Sequence, residues 1–440
     1  MFDSSSYQLW HGATPMAHFF RDSDPGMFLV SGSGSRVRDR AGREYVDARS
    51  SMWNVSLGYS CEPVKEAIRA QLDLLPSGTV MRYEHPTRIA SDYAGRLAGS
   101  LPGPLNYVRF GNTGSQMTEA AAMLSRFYRR MTGEQGRHYV ITVQGSYHGT
   151  GPLATALTGD PVLQGFSEPL DQFVRQVITP AFEDQPGDAD PVRPVVELID
   201  EIGADRVTAV MLEPVLGTFV RPVPLRYLNR LAVECRARNI HLIADEVTTG
   251  AGRAGSMTVS ERLALVPDMV VLGKGLSAGY FPLAALAVSQ SIYDVLAGAE
   301  HRIGFPNGST TDGHPLGMAA GLAVLSLITA PGFFLSVRET AAFLTGLLRD
   351  ALADHPAVRT VSGEGMMIGV ELGYPDRTPW SVSDVNRFRL ACRDHGLLTS
   401  FSSGVLPLMP PLNITRPDCE ELVTRLSKAL RKFEPRPPAR

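Results

Sequence analysis

Three apolar runs in this chain each end in an ionisable residue. Thr208-Ala-Val-Met-Leu-Glu213 ends in Glu213, His241-Leu-Ile-Ala-Asp245-Glu246 in Asp245, and Met269-Val-Val-Leu-Gly-Lys274 in Lys274. Runs of this length and composition read as buried strands. If the strands are parallel, the three residues share one rim of a sheet, the rim at which open α/β sheets bind ligands. Taken singly, each reads equally well as a helix cap or an ion-pair partner. The lysine tips the balance. Of 42 basic residues only four are lysines: Lys65, Lys274, Lys428 and Lys432. Lys65 falls in a helical stretch, 63–74, and Lys428 and Lys432 fall on an amphipathic C-terminal stretch, 419–433. Those three suit solvated helix faces. Lys274 follows an apolar strand and is flanked by glycines, a setting that suits a desolvated, imine-forming nucleophile.

Two more loops leave the same rim. Arg109-Phe-Gly-Asn-Thr113-Gly114-Ser115-Gln joins a strand to a helix, where converging backbone N–H groups and the helix N-terminus favour an anion. It is neither Gly-x-Gly-x-x-Gly nor a Walker sequence, which argues against a dinucleotide or a nucleoside triphosphate. Gln144-Gly-Ser-Tyr147-His148-Gly149 brings an aromatic ring and an imidazole to the rim. An ordinary capped turn and a core tyrosine are the plain alternatives. A lysine nucleophile, a buried aspartate able to hold a pyridine nitrogen protonated, a phosphate cradle and a stacking aromatic together describe pyridoxal 5′-phosphate (PLP) held on a lysine as a Schiff base.

The elements that would position these residues alternate. Helical patterns at 88–101, 118–131, 192–202 and 225–238 separate apolar strands at 107–110, 139–143, 208–212, 241–244, 269–272 and 284–288. Such alternation predicts a mostly parallel sheet with helices on both faces. Near the N-terminus, 28–38 and 43–47 read as the two strands of a hairpin. Past Ala330-Pro-Gly332 the pattern becomes helix (334–352), strand (366–372), helix (382–395), short strand and final helix. That predicts three parts: an arm and part of a small domain at 1–75, a large cofactor-binding α/β domain at 76–330, and a small α+β domain at 331–440. Residues 180–194 read as a surface loop and 435–440 as a disordered tail.

Composition excludes other classes. In 440 residues, 42 basic against 45 acidic side chains leave a formal charge of −3, with no basic field for nucleic acid. No apolar run approaches the ~18 residues of a membrane span, and Met1-Phe-Asp-Ser4 does not resemble a signal peptide. The four cysteines, Cys61, Cys235, Cys392 and Cys419, form no Cys-x-x-Cys pair. No metal site is expected, and free thiols suit a reducing cytoplasm.

Longer motifs carry a family resemblance. Leu242-Ile-Ala-Asp245-Glu246-Val247-Thr-Thr-Gly-Ala-Gly-Arg253-Ala-Gly255 and Leu272-Gly-Lys274-Gly-Leu-Ser-Ala-Gly-Tyr-Phe-Pro282 resemble the signatures of class III aminotransferases, which are fold type I PLP enzymes. Tyr147-His148-Gly149, Glu213-Pro214 and Gly308-Ser309-Thr310 follow in the family's order. The resemblance spans roughly residues 10–433. It implies a large domain with a mostly parallel seven-stranded sheet, plus a small α+β domain. Lys274 would carry the cofactor and move protons between the substrate Cα and C4′. Asp245 would pair with the pyridinium nitrogen, while Val247 and Tyr147 cover the ring's two faces. Thr113, Gly114 and Ser115 would hold the phosphate, with His148 and Glu213 also beside the cofactor. Thr310 would reach the phosphate in the neighbouring subunit, which implies a homodimer with shared active sites.

Leu9-Trp10-His11 and Ser50-Ser51-Met52-Trp53 are similar to the diaminopelargonic acid aminotransferase branch. Departures occur at Gly12-Ala13, Met52 and Thr150, and at Ser400, where that branch carries an arginine for a substrate carboxylate. A serine cannot supply a bidentate fork, which argues against diaminopelargonate synthesis. The candidates on the substrate side are Trp53, Arg253 and Ser400. The expected function is transfer of an amino group from an amine or amino acid to a carbonyl acceptor, on a specialised biosynthetic substrate. The alternative on the same fold is a PLP-dependent aminomutase or amino-acid racemase. A nicotinamide oxidoreductase is disfavoured by the missing glycine motif, and a non-catalytic scaffold by Lys274 and Asp245.

Overall fold

A computed structural model describes residues 7–22, 27–165, 167–168, 170–178, 190–264, 266–298, 304–376, 378–400, 402 and 404–435. Its centre is a seven-stranded sheet. The spatial order is Tyr107–Gly111, Ala284–Val288, Met269–Leu272, His241–Asp245, Val207–Leu212, Tyr139–Val143 and Val174–Val177. Ala284–Val288 runs antiparallel to both its neighbours, and every other pairing is parallel.

The strands are apolar along their whole length because both faces are covered. Successive residues point to opposite faces. Val210, Leu212 and Leu242 therefore pack with Val195, Ile199 and Leu231 of the helices Arg193–Ile202 and Leu225–Ala237. Ala209, Met211 and Ile243 pack instead with Met117, Ala121 and Leu124 of the helix Gly114–Met131. Among the described residues, no single helix is long and apolar enough to cross a membrane.

The remaining sheets hold the two chain ends together. Val358–Glu364, Met367–Leu372 and Val405–Leu408 form an antiparallel sheet. Its core includes Leu344 and Leu348 of the helix Phe333–Leu352 and Leu422 and Leu426 of the helix Arg416–Lys432. Val46 and Ala48 join that same core. The N-terminal strand Glu44–Asp47 pairs in parallel with Leu397–Leu398, across some 350 residues of sequence.

Three expectations are corrected. The stretch 28–38 is itself a hairpin, Leu29–Ser33 against Arg36–Asp39, because Gly34 takes φ +56° and turns the chain. Val174–Val177 and Val358–Glu364 are strands that the pattern missed, since neither is uniformly apolar: both present exposed or half-buried residues. Helices also start earlier than their apolar period suggests. Thr113 accepts from the Gln116 amide and Thr415 from the Asp418 amide, so capping sets the starts at Gly114 and Arg416. Residues 180–189 of the expected loop and 436–440 of the expected tail lie outside the described residues.

Candidate active site

The three strand-end residues do share one rim. Val207–Leu212 leads into Glu213, His241–Asp245 ends at Asp245, and Met269–Leu272 leads through Gly273 into Lys274. Lys274 opens a single turn of 3₁₀ helix, Lys274–Ser277, with its own φ at +41°. A non-glycine residue there is strained, a cost accepted where surrounding structure fixes a functional side chain. Burial lowers the lysine pKa, and Arg253 lowers it further, against the raising fields of Asp245 and Glu213. Desolvation thus favours the neutral, nucleophilic amine. Nζ donates to Thr248 Oγ1 at 2.8 Å and lies 5.2 Å from the centroid of the Trp53 ring.

Asp245 is 3% exposed. One of its oxygens accepts from His148 Nδ1 at 2.7 Å, the other from the Val247 amide at 3.0 Å. His148 is therefore not on the open face of the rim. It is buried behind the carboxylate, and its Nε2 has no partner among the described residues. Glu213 accepts from the amides of Tyr147, at 2.9 Å, and Gly217, at 3.2 Å. Burial, and then the charge of Asp245, push its carboxyl up to about 7. Tyr147 is 38% exposed, and burial of its remainder raises the phenol pKa.

The loop at 109–116 packs tightly onto these groups. A Cβ on Gly114 would sit 2.9 Å from Val247 Cγ1, and one on Gly149 would sit 2.2 Å from Ser115 Oγ. Gly149 also has φ +110°. Glycine at both positions lets the N-terminus of an 18-residue helix close against Val247 and the Tyr147 loop. The Thr113 hydroxyl caps this helix, and Ser115 Oγ accepts from the Thr150 amide at 3.1 Å.

This arrangement fits a phosphorylated aromatic cofactor. A helix N-terminus faces the cluster, a half-exposed tyrosine and a valine flank a buried carboxylate, and a desolvated lysine stands at the next strand end. Thr113, Gly114 and Ser115 could hold the phosphate, Asp245 a ring nitrogen, and Lys274 the carbonyl carbon. When bound, PLP supplies an electron-withdrawing ring that takes up the electron pair left by a departing substrate proton.

The substrate-side candidates are less closely gathered. Trp53 faces Lys274 from a strained segment: Ser50, Ser51 and Trp53 all have positive φ. Asp47 braces that segment, accepting from the amides of Arg49 and Ser51 and from the Tyr59 hydroxyl. Arg253 is 2% exposed, and its terminal nitrogens donate to the carbonyls of Met366, Pro410 and Trp53. Burial is the one cause acting on its pKa, with no opposing carboxylate among the described residues, and lowers it to about 9. Ser400 follows Leu397–Leu398, half-buried, and makes none of the contacts that assemble the cluster. Thr310 is exposed between Ser309 and Thr311, both of which bond to the side chain of Asn112 next to Thr113. In the same loop His314 Nδ1 accepts from the Leu316 amide at the start of Pro315–Ile328, and Asp312 pairs with Arg109.

Sequence reasoning passed over Thr248 and Asp47. Thr248 lies inside the aspartate motif, yet its contact with Lys274 is made across strands and leaves no trace in spacing.

Comparison with known proteins agrees with the fold and with the family that the motifs resemble. The family described as Aminotransferase class-III matches residues 20–430. An omega-aminotransferase of Caulobacter vibrioides is 32% identical over 443 residues, covering 96% of each chain. A diaminobutyrate–2-oxoglutarate transaminase of Halomonas elongata is 30% identical over 446 residues, covering 96% of this chain and 94% of the relative. Among solved structures, an amine transaminase from an uncultivated Pseudomonas species, in a PLP-bound form, superposes with a TM-score of 0.90. It is 30% identical, covering 97% of this chain and 99% of that one.

Proposed function

The chain belongs to the class III aminotransferases, and on that premise we propose that it moves the amino group of a primary amine whose reacting carbon bears no carboxylate onto a carbonyl acceptor, using PLP. The observation that carries this reading is the lysine–aspartate pair at neighbouring strand ends. Burial shifts Lys274 towards its neutral form, and Asp245 is fixed by two donors. The restriction on the substrate rests on Ser400, which offers no guanidinium, and on Arg253, whose terminal nitrogens are engaged by backbone carbonyls. An omega-aminotransferase and an amine transaminase stand among the similar proteins, which supports amino transfer over the mutase or racemase alternative.

In this reading, Thr113, Gly114 and Ser115 cradle the phosphate and Tyr147 and Val247 enclose the ring. Asp245 holds a proton on the ring nitrogen and is itself oriented by His148. Glu213 ties the Tyr147 loop to the Gly217 turn, and Lys274 Nζ takes the substrate proton and returns it. Trp53 forms a wall above the amine. Division of the chain near residues 75 and 330 belongs to the same proposal, supported by the pairing of Glu44–Asp47 with Leu397–Leu398.

The test is single turnover. PLP-loaded protein is mixed with a panel of primary amines and amino acids without acceptor, and the released carbonyl compound is counted. About one equivalent per site, lost in Lys274→Ala, supports the reading. Rearranged or racemised amine with no carbonyl product sinks it. The shared-site homodimer is proposed on the exposed Thr310 beside the phosphate loop. Mixing Lys274→Ala with Thr310→Arg subunits, each inactive alone, should restore part of the activity. Mixtures that stay inactive count against it.

A further inference from the structure

Outside the roles just assigned, one buried hydroxyl makes the single hydrogen bond to the reacting amine. We propose that Thr248 is a positioning residue that holds Lys274 Nζ in place for proton transfer. The inference rests on the aminotransferase reading above. Nζ donates to Thr248 Oγ1 at 2.8 Å, and this is the only hydrogen bond to the amine among the described residues. Asp245, Glu213 and Arg253 act on it through their fields alone. An N–H spent on Thr248 leaves the nitrogen lone pair free to accept a substrate proton.

A lysine stem has four carbons and many rotamers. The strained backbone at φ +41° fixes where that stem starts, not where it ends. In the part of the cycle when Nζ is a free amine, an unheld stem would sample positions from which no proton can move. Thr248 suits the task of holding it. It is 7% exposed and β-branched, so its χ1 is stiff. It is also wedged: a Cβ on Gly217 would lie 3.3 Å from Thr248 Oγ1, 3.6 Å from its methyl carbon and 3.0 Å from Glu213 Oε1. The bare Gly217 turn therefore lets the hydroxyl and the Glu213 carboxyl approach one point beside the amine. Gly217 also donates its amide to Glu213, which anchors that turn.

The bland alternative is that Thr248 merely uses the lysine to satisfy a buried hydroxyl. Thr248→Val removes the hydroxyl and keeps the shape, and Thr248→Ser keeps the hydroxyl. In the cofactor-free protein, acylation of Lys274 by an amine-selective reagent is followed against pH by mass spectrometry. Lys65, Lys428 and Lys432 serve as internal references. Loss of an acceptor for the ammonium form should lower the Lys274 midpoint by about half a pH unit. In the loaded enzyme, kcat should fall about tenfold, with KM for the amine changed less than about threefold. Thr248→Ser should restore both. A Val variant that keeps either the wild-type midpoint or the wild-type kcat overturns the proposal. Thr248→Ala carries the same comparison if the Val variant fails to melt cooperatively. Failure of the parent reading looks different: no amine is turned over by any form, wild type included, while the titration shift persists.

Discussion

The two rims of the seven-stranded sheet are built from the same strands and have opposite characters. At the carboxyl rim, helices begin. The N-terminus of Gly114–Met131 faces Asp245, Glu213 and Lys274, and the charges there are left unbalanced: Glu213 is raised by burial and Lys274 lowered. At the amino rim, helices end, and their free carbonyls collect arginines. Arg129, 1% exposed, pairs with Glu134 at 2.7 Å and donates to the carbonyl of Asn239. Arg137 donates to the carbonyls of Ala204 and Val207 and pairs with Glu134. His241, the first residue of its strand, is tied through Ser125 to Thr208. Burial, aided by both arginines, pushes its pKa down to about 3 and keeps it neutral. The helix dipole explains the division: cations settle at helix C-termini, anions at N-termini. One rim stores chemistry and the other stores stability.

Substitutions at each rim should separate activity from stability. The largest effect is expected for Asp245→Asn. Without a carboxylate the ring nitrogen loses its proton, and proton abstraction should slow by several orders of magnitude, on the order of 4 kcal/mol or more. PLP should remain bound, since the phosphate loop and Lys274 are untouched. Stopped-flow rates of single turnover decide the matter, and a rate within tenfold of wild type would remove the proposed role.

At the opposite rim, Arg129→Met should behave in reverse. It strips a part-buried ion pair and a carbonyl cap, so urea unfolding should show a loss of about 2–3 kcal/mol. The value of kcat should stay within about twofold. A stable variant with impaired turnover would erase the distinction between the rims.

Much of the carboxyl rim is legible in sequence because each of its residues is local to a motif. Glu213, Asp245 and Lys274 stand at the ends of runs whose burial on both faces makes them continuously apolar. The rarity of lysine singles out Lys274 without any structure. The amino rim is far less legible. Arg129, Arg137 and His241 are three ordinary polar residues, and only tertiary contact shows that two of them close helix and strand ends around the third. His148 shows the limit within a motif: its place in Tyr147-His148-Gly149 puts it near the site, but only the fold shows it behind Asp245. The Thr248 contact with Lys274 is a tertiary event of the same kind, whereas Asp47 braces the strained 50–53 segment locally, through turn hydrogen bonds that no motif announces. The second rank of strands, Val174–Val177 and Val358–Glu364, was hidden because half-buried edge and small-sheet strands carry mixed polarity.

The smallest expected effect tests whether the active rim gives up stability for its function. Glu213 accepts two amide hydrogen bonds, yet burial and the charge of Asp245 hold its carboxyl at about 7 against an ordinary 4.5. The folded state therefore binds this proton more tightly than the unfolded chain. Its contribution is fully present below pH 4.5 and is lost as pH rises through about 7. Glu213→Gln cannot ionise and should lack that decline. Across the window, the stability of the cofactor-free wild type should fall relative to the variant by on the order of 2 kcal/mol. The sign follows from burial disfavouring the charged form, and it is opposite to that of His241. The buried neutral imidazole gives stability above pH 6.5 that is lost as pH falls towards about 3. Acid thus unlocks the amino rim while relaxing the carboxyl rim. Urea titrations of both proteins between pH 4.5 and 8 give the answer directly. Parallel stability curves would mean that Glu213 titrates as an ordinary carboxylate, and that the charges of the active rim are balanced after all.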